Sequence, residues 1–169
     1  MKLFLQFTII LFLLYSQNSF GQDTATSIEK NWAILKTQLQ RRTNIVINFI
    51  QTLNNSNKDK KELAKLKMIA TGISKYLDTL KQFDSLSIDV TMKKNHSLNK
   101  ILTKTITSIE NDKKFNKRND VMNLMAQLEG AENRIVVARY EYNKSCKTFN
   151  RPDLQFREKE DAKAVRVEF

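Results

Sequence analysis

Residues Asp120–Asn150 read DVMNLMAQLEGAENRIVVARYEYNKSCKTFN, and their spacing decides the fold. Small or apolar residues recur at Val121, Leu124, Leu128, Ala131, Ile135, Ala138, Tyr142, Ser145 and Phe149, in steps of three and four. Such steps keep one side of a long helix turned toward partner helices. The stretch holds no proline. Its one glycine, Gly130, stands beside Ala131, where a neighbouring helix is expected to approach closely.

Working outward, the same spacing returns three times. A first helix is expected to start near Asp23–Ser27, capped by Ser27 or Thr26, and to end near Asn54. Its stripe is Ile28, Trp32, Leu35, Leu39, Arg42, Val46, Phe49 and Leu53, with the charged Arg42 in an inward place. Asn54–Asn57 is a polar turn. A second helix over about 58–82 carries Leu63, Leu66, Ala70, Ile73, Leu77 and Leu80. In residues 83–95, Leu86, Ile88 and Val90 alternate like a strand that has nothing to pair with, so a loop or frayed helix is expected. A third helix over 97–111 turns Leu98, Leu102, Thr105 and Ile109 inward, and the charged turn NDKKFNKRN (111–119) leads into the fourth. The charged tail from Arg151 to Phe169 lacks a sustained period; loose order is expected, with its end docked through Val165, Val167 and Phe169.

Four striped helices with short connections make an all-α, antiparallel up-and-down four-helix bundle the natural fold. Three glycines and one proline in 169 residues are too few for a β protein with many turns. The organisation reads as an N-terminal signal or anchor (1–21), a bundle domain (22–150) and a charged tail (151–169). The single cysteine, Cys146, excludes an internal disulfide.

The first 21 residues carry Lys2, then a nearly continuous apolar run over the 13 residues from Leu3 to Tyr15, then Ser19-Phe20-Gly21 before Gln22. That is the pattern of an export signal cut between Gly21 and Gln22. The run is short for a spanning helix, which needs about 20 apolar residues; the alternative is an uncleaved anchor. No cysteine lies near the boundary, which excludes lipoprotein processing. Either way the body is expected outside the cytoplasm, in the periplasm or on the periplasmic face of the inner membrane. The net charge of +11 favours acidic partners, an unknown envelope protein or an anionic membrane surface. An exported chain rarely meets nucleic acid, so none is expected as a partner.

Arg42 requires its own explanation, because a guanidinium is tolerated in a core only when paired and hydrogen-bonded. In an up-and-down bundle the first and last helices are antiparallel neighbours, which places Glu132 at the height of Arg42. An Arg42–Glu132 ion pair is expected, helped by Asn48, Asn133 or Asn44. Its plain role is to fix register and partner choice; the functional one is a polar layer that grips a ligand, a metal or a client peptide. A third possibility is an Arg42 that reaches out to water.

Other chemistry is sparse. His96, the only histidine, follows Lys93-Lys94-Asn95 in a polar connection and reads as exposed. Glu129 and Glu132 lie three apart, but no matching histidine or second carboxylate helix completes a di-iron pattern. Cys146, expected half buried, has no histidine or orienting partner to activate it. Trp32, Phe49, Tyr142 and Phe149 sit on stripes, so core packing explains them better than base stacking. No catalytic residue, cofactor or metal site is expected.

The two end helices do carry a resemblance. QLQRRTNIVINFIQTL (38–53) and QLEGAENRIVVARYEYNKSCKTFN (127–150) resemble the two signature stretches of the LemA family. The matching residues are Arg41, Arg42 and Asn48 in the first, and Glu129, Gly130, Glu132, Asn133, Arg134, Ala138, Arg139, Tyr142 and Asn143 in the second. Asn44 stands where the family pattern has an acidic residue, and Ile47 where it has proline, which leaves the first helix unbroken. The glycine- and aromatic-rich stretch that follows the last helix in the family is cut to a short charged tail here. The resemblance implies a hydrophobic N-terminal segment followed by a helical bundle, in envelope-associated bacterial proteins. It brings no catalytic residues.

Overall fold

The inward stripe of the first helix is filled along its whole described length: Ile28, Trp32, Leu35, Leu39, Arg42, Val46, Phe49 and Leu53 are all buried. A computed structural model describes backbone over residues 2–54, 60–81 and 83–157, and side chains over 27–53, 60–81 and 83–157. Four helices make up the described chain: α1 (Lys2–Asn54), α2 (Lys60–Thr79), α3 (Ser85–Glu110) and α4 (Asn119–Thr148), followed by a one-turn 3-10 helix, Pro152–Leu154. No strand occurs among the described residues.

Contacts between helices fix their directions. Arg42 meets Glu132 and Trp32 meets Tyr142, so α1 and α4 run oppositely. Lys36 donates to the Leu80 carbonyl at 3.0 Å and Gln40 meets Asp78, which sets α2 antiparallel to α1. Tyr76 donates to the Ser87 carbonyl while Lys104 pairs with Glu62, which reverses direction again between α2 and α3. The bundle is therefore four helices alternating in direction around one apolar core.

That core holds Leu63, Leu66, Ala70, Ile73 and Leu77 of α2, Leu98, Leu102, Ile106 and Ile109 of α3, and Val121, Leu128, Ala131, Ile135 and Ala138 of α4. Leu80, Leu124 and Phe149 are only partly buried against it. Buried Thr43, Thr91 and Thr105 each donate a hydroxyl to the carbonyl four residues earlier, leaving a methyl to pack. Phe115, in the connection before α4, is buried and anchors it.

Two expectations about helix boundaries are corrected. The α1 backbone runs back to Lys2, so the expected start at Asp23–Ser27 is replaced by continuous helix. Between Leu3 and Ile28 the chain holds one glycine and no proline, and a lone glycine costs about 1 kcal/mol without ending a helix. The side chains of the Leu3–Tyr15 run and of the Gly21–Gln22 cleavage site lie outside the described residues, as do Asn55–Asn57. Among the described residues no helix is long and apolar enough to cross a membrane.

Residues 83–95 are no loop: α3 begins at Ser85. Asp84 starts it with a capping box, accepting from the Ser87 backbone N–H at 2.7 Å while its own N–H donates to Ser87 Oγ at 3.2 Å. The inward places then continue as Ile88, Thr91, Asn95 and Leu98, with Leu86 exposed. The three- and four-residue step persists, carried by polar side chains. His96 accordingly lies on the exposed side of α3, not in a connection.

Gly130 does not mark a close helix approach. A side chain there would meet only Arg134 of its own helix, at 3.6 Å, an ordinary contact.

The tail is corrected over its first part. Asn150 takes a left-handed backbone (φ 52°), its N–H donates to the Lys147 carbonyl, and the Arg151 N–H donates to that of Cys146 at 2.8 Å. This closes α4 with a Schellman turn, a role that asparagine fills when glycine does not. The chain then reverses, and Leu154 and Phe156 are buried. Val165, Val167 and Phe169 lie outside the described residues.

Candidate functional site

Two constellations use polar side chains inside the bundle. The first surrounds Arg42, whose side chain is 1% exposed. Its Nη1 donates to Glu132 Oε1 at 2.8 Å and to Asn99 Oδ1 at 2.7 Å, and its Nη2 donates to Asn95 Oδ1. The guanidinium thus ties α1 to α4 and reaches across to α3. Among the described residues its Nε finds no hydrogen-bond partner.

The expected ion pair is present, with two corrections. Glu132 is 40% exposed, so the pair opens to water on the α4 side and is not sealed. The helpers are Asn95 and Asn99; Asn44, Asn48 and Asn133 all face outward. The signal for Asn95 was its place in the three- and four-residue step between Thr91 and Leu98, with Asn99 four residues further on. A polar residue there needs a polar partner across the core, and Arg42 is one.

The second constellation holds the segment after α4. Tyr142 donates its hydroxyl to the Leu154 carbonyl at 2.6 Å. Asn143 pairs with both main-chain groups of Phe156: its Nδ2 donates to the carbonyl at 2.9 Å, and its Oδ1 accepts from the N–H at 2.8 Å. The Phe156 ring packs 6.4 Å from that of Trp32, which also meets Phe83 and Tyr142. The Arg157 N–H donates to Met92 Sδ at 2.8 Å, which carries the segment from α4 across to α3.

Burial sets the ionisation of the two buried groups next to this segment. It pushes the Tyr142 hydroxyl far above the usual phenol range, and the neighbouring Cys146 adds to the shift. Burial likewise pushes up the Cys146 thiol, which is fully buried, not half buried as expected from sequence. A buried, protonated thiol is the opposite of an activated nucleophile. Among the described residues no group of three or more histidine, cysteine or carboxylate side chains is placed to hold a metal ion.

The two helices that build both constellations are those that carry the signature stretches, and the family model for the LemA family matches residues 31–168. The chain belongs to the LemA family. No curated protein matches it significantly.

In this LemA-family chain the signature residues divide by what they touch. Arg42 and Glu132 build the polar layer, Ala138 packs in the core, and Tyr142 and Asn143 hold the returning segment. Glu129, Gly130 and Arg139 are half buried. Arg41, Asn48, Asn133 and Arg134 face outward, where packing gives them no work.

Proposed function

We propose that this chain is a non-catalytic, exported bundle of the bacterial envelope that acts by binding. Its partner is an envelope protein or an anionic membrane surface, met through the outer face of α4. The observation that carries this reading is a row of apolar side chains left uncovered on that helix: Val136 is 52% exposed, Val137 64% and Tyr140 63%. Spacings of three and four place Tyr140 beside both valines. Exposed Arg134 and Lys144 lie a few residues to either side, with the exposed Glu141 between them. Uncovered apolar side chains contribute nothing to this core and favour association. Basic neighbours on a chain of net charge +11 add attraction for acidic surfaces. Export is supported by Lys2, the Leu3–Tyr15 run and the small residues before Gln22.

Co-sedimentation with anionic or zwitterionic vesicles, and affinity capture from envelope extracts, test the reading. A Val137→Glu/Tyr140→Glu variant should lose most of the bound fraction and keep its unfolding midpoint. Equal binding by both proteins removes the α4 face from consideration. N-terminal sequencing of fractionated protein tests export and cleavage.

The unpartnered Arg42 Nε favours a second reading, a small anionic ligand at the polar layer. Thermal-shift measurements with phosphate and acetate should then raise the melting temperature of the native chain and not of Arg42→Met.

A further inference from the structure

Leu154-Gln155-Phe156 is held in the way a protein holds a bound peptide. All three hydrogen bonds that Tyr142 and Asn143 make with the segment, two donated and one accepted, involve its main-chain atoms, so they are indifferent to its side chains. The side chains of Leu154 and Phe156, two residues apart, are buried, and Gln155 between them is extended (φ −64°, ψ 133°). Main-chain hydrogen bonds with pockets for alternate side chains are how extended peptides are recognised: the first give affinity and the second give choice. Leu154 ends the one-turn 3-10 helix Pro152–Leu154, the segment belongs to none of the four long helices, and the flanking Pro152, Asp153 and Arg157 are exposed. Among the described residues its hold on the body is three side-chain hydrogen bonds, the Phe156–Trp32 packing and the Arg157–Met92 contact; a unit this small can open without unfolding the body.

We infer that the groove lined by Trp32, Met92, Tyr142 and Asn143 is a peptide-binding groove. Its partner is an extended segment of another protein with an aliphatic residue, one spacer and an aromatic residue, and the chain's own Leu154–Phe156 covers the groove until that partner displaces it. Asn143 is the clamp on the partner's backbone, and Trp32 is the wall of the aromatic pocket. The cis segment competes at the effective concentration that its short tether imposes, of millimolar order. The partner therefore has to improve on Leu154 and Phe156, or arrive on a chain that is also held elsewhere. This inference does not rest on the α4 outer face, whose residues take no part in it.

The test uses the full chain with Phe156→Ala, which vacates the aromatic pocket, and a fluorescent peptide of the sequence RPDLQFR (residues 151–157). Saturable anisotropy is expected with Phe156→Ala, and binding to the native chain about tenfold or more weaker, because its groove is filled. Adding Asn143→Ala to Phe156→Ala should weaken binding at least about tenfold, as should replacing the peptide's phenylalanine by alanine. Trp32, the only tryptophan, reports the pocket directly: its emission should shift in Phe156→Ala and return when peptide is added. A folded Phe156→Ala chain that binds no peptide, or binding that ignores Asn143→Ala, overturns the inference. So does a native dimer that Phe156→Ala dissociates, since a second copy would then fill the groove. Should Phe156→Ala not fold, hydrogen exchange of the native chain decides. The Phe156 amide should exchange well before the buried α4 amides such as Tyr142; exchange of both together, only on global unfolding, overturns the inference.

Discussion

Along α4 the inward places Val121, Leu128, Ala131, Ile135 and Ala138 are taken by small or apolar side chains, while along the first half of α3 they are Ile88, Thr91, Asn95 and Leu98. Both stretches are continuous helix, and both are buried at these places. On α4 the removal of apolar surface from water holds the face in. On α3 the same geometry is kept by hydrogen bonds: Thr91 donates to the Ser87 carbonyl, and Asn95 accepts from Arg42 across the core. The period of a helix is thus separable from its hydrophobicity, provided that every buried polar group has a partner.

Substitutions measured by denaturant midpoint can break or sharpen this contrast. The largest loss should come from the apolar side: Phe49→Ala, fully buried on α1, should cost about 3–5 kcal/mol. Next comes Asn95→Ala, which leaves Arg42 Nη2 buried with no acceptor, for about 1–3 kcal/mol. A cost near zero would mean that α3 is held by its apolar residues alone. Asp84→Ala, which removes the cap that starts α3, should cost about 1 kcal/mol. Glu132→Gln should cost less still, below about 1 kcal/mol, because the carboxylate is 40% exposed and screened by water. A loss as large as that of Asn95→Ala would show that the ion pair, and not the asparagine, keeps Arg42 in the core.

The smallest effect concerns Cys146. Its buried thiol should not react with a disulfide reagent at neutral pH unless the chain unfolds. The folded thiol holds its proton more tightly than an unfolded one, whose pKa is about 8.5. Its contribution to stability is therefore complete below that pH and declines as the pH rises past it. Midpoints of native chain and Cys146→Ala at pH 7.5 and 10 should differ less at the higher pH, which checks the sign.

The stripes of α1, α2 and α4 were legible because apolar side chains at helical spacing have one economical place to go. The Arg42–Glu132 contact was legible for the same reason: once α1 and α4 are antiparallel neighbours, two residues at equal height must meet. The start of α3 was in the sequence too, as Asp84 three residues before Ser87. The alternation of Leu86, Ile88 and Val90 masks that signal, because it resembles a strand.

By itself the sequence determined four helices, the inward faces of α1, α2, α4 and the second half of α3, the family, and a guanidinium that had to be paired. Local spacing suffices for those, since each is a matter of which side of a helix must leave water. The tertiary structure alone decided that Asn95 and Asn99 are the guanidinium's partners on α3 and that Glu132 stays open to solvent. It also placed Leu154 and Phe156 inside, under Tyr142 and Asn143. These contacts join residues 12 to 57 positions apart; no local period encodes which polar groups meet once the helices have packed.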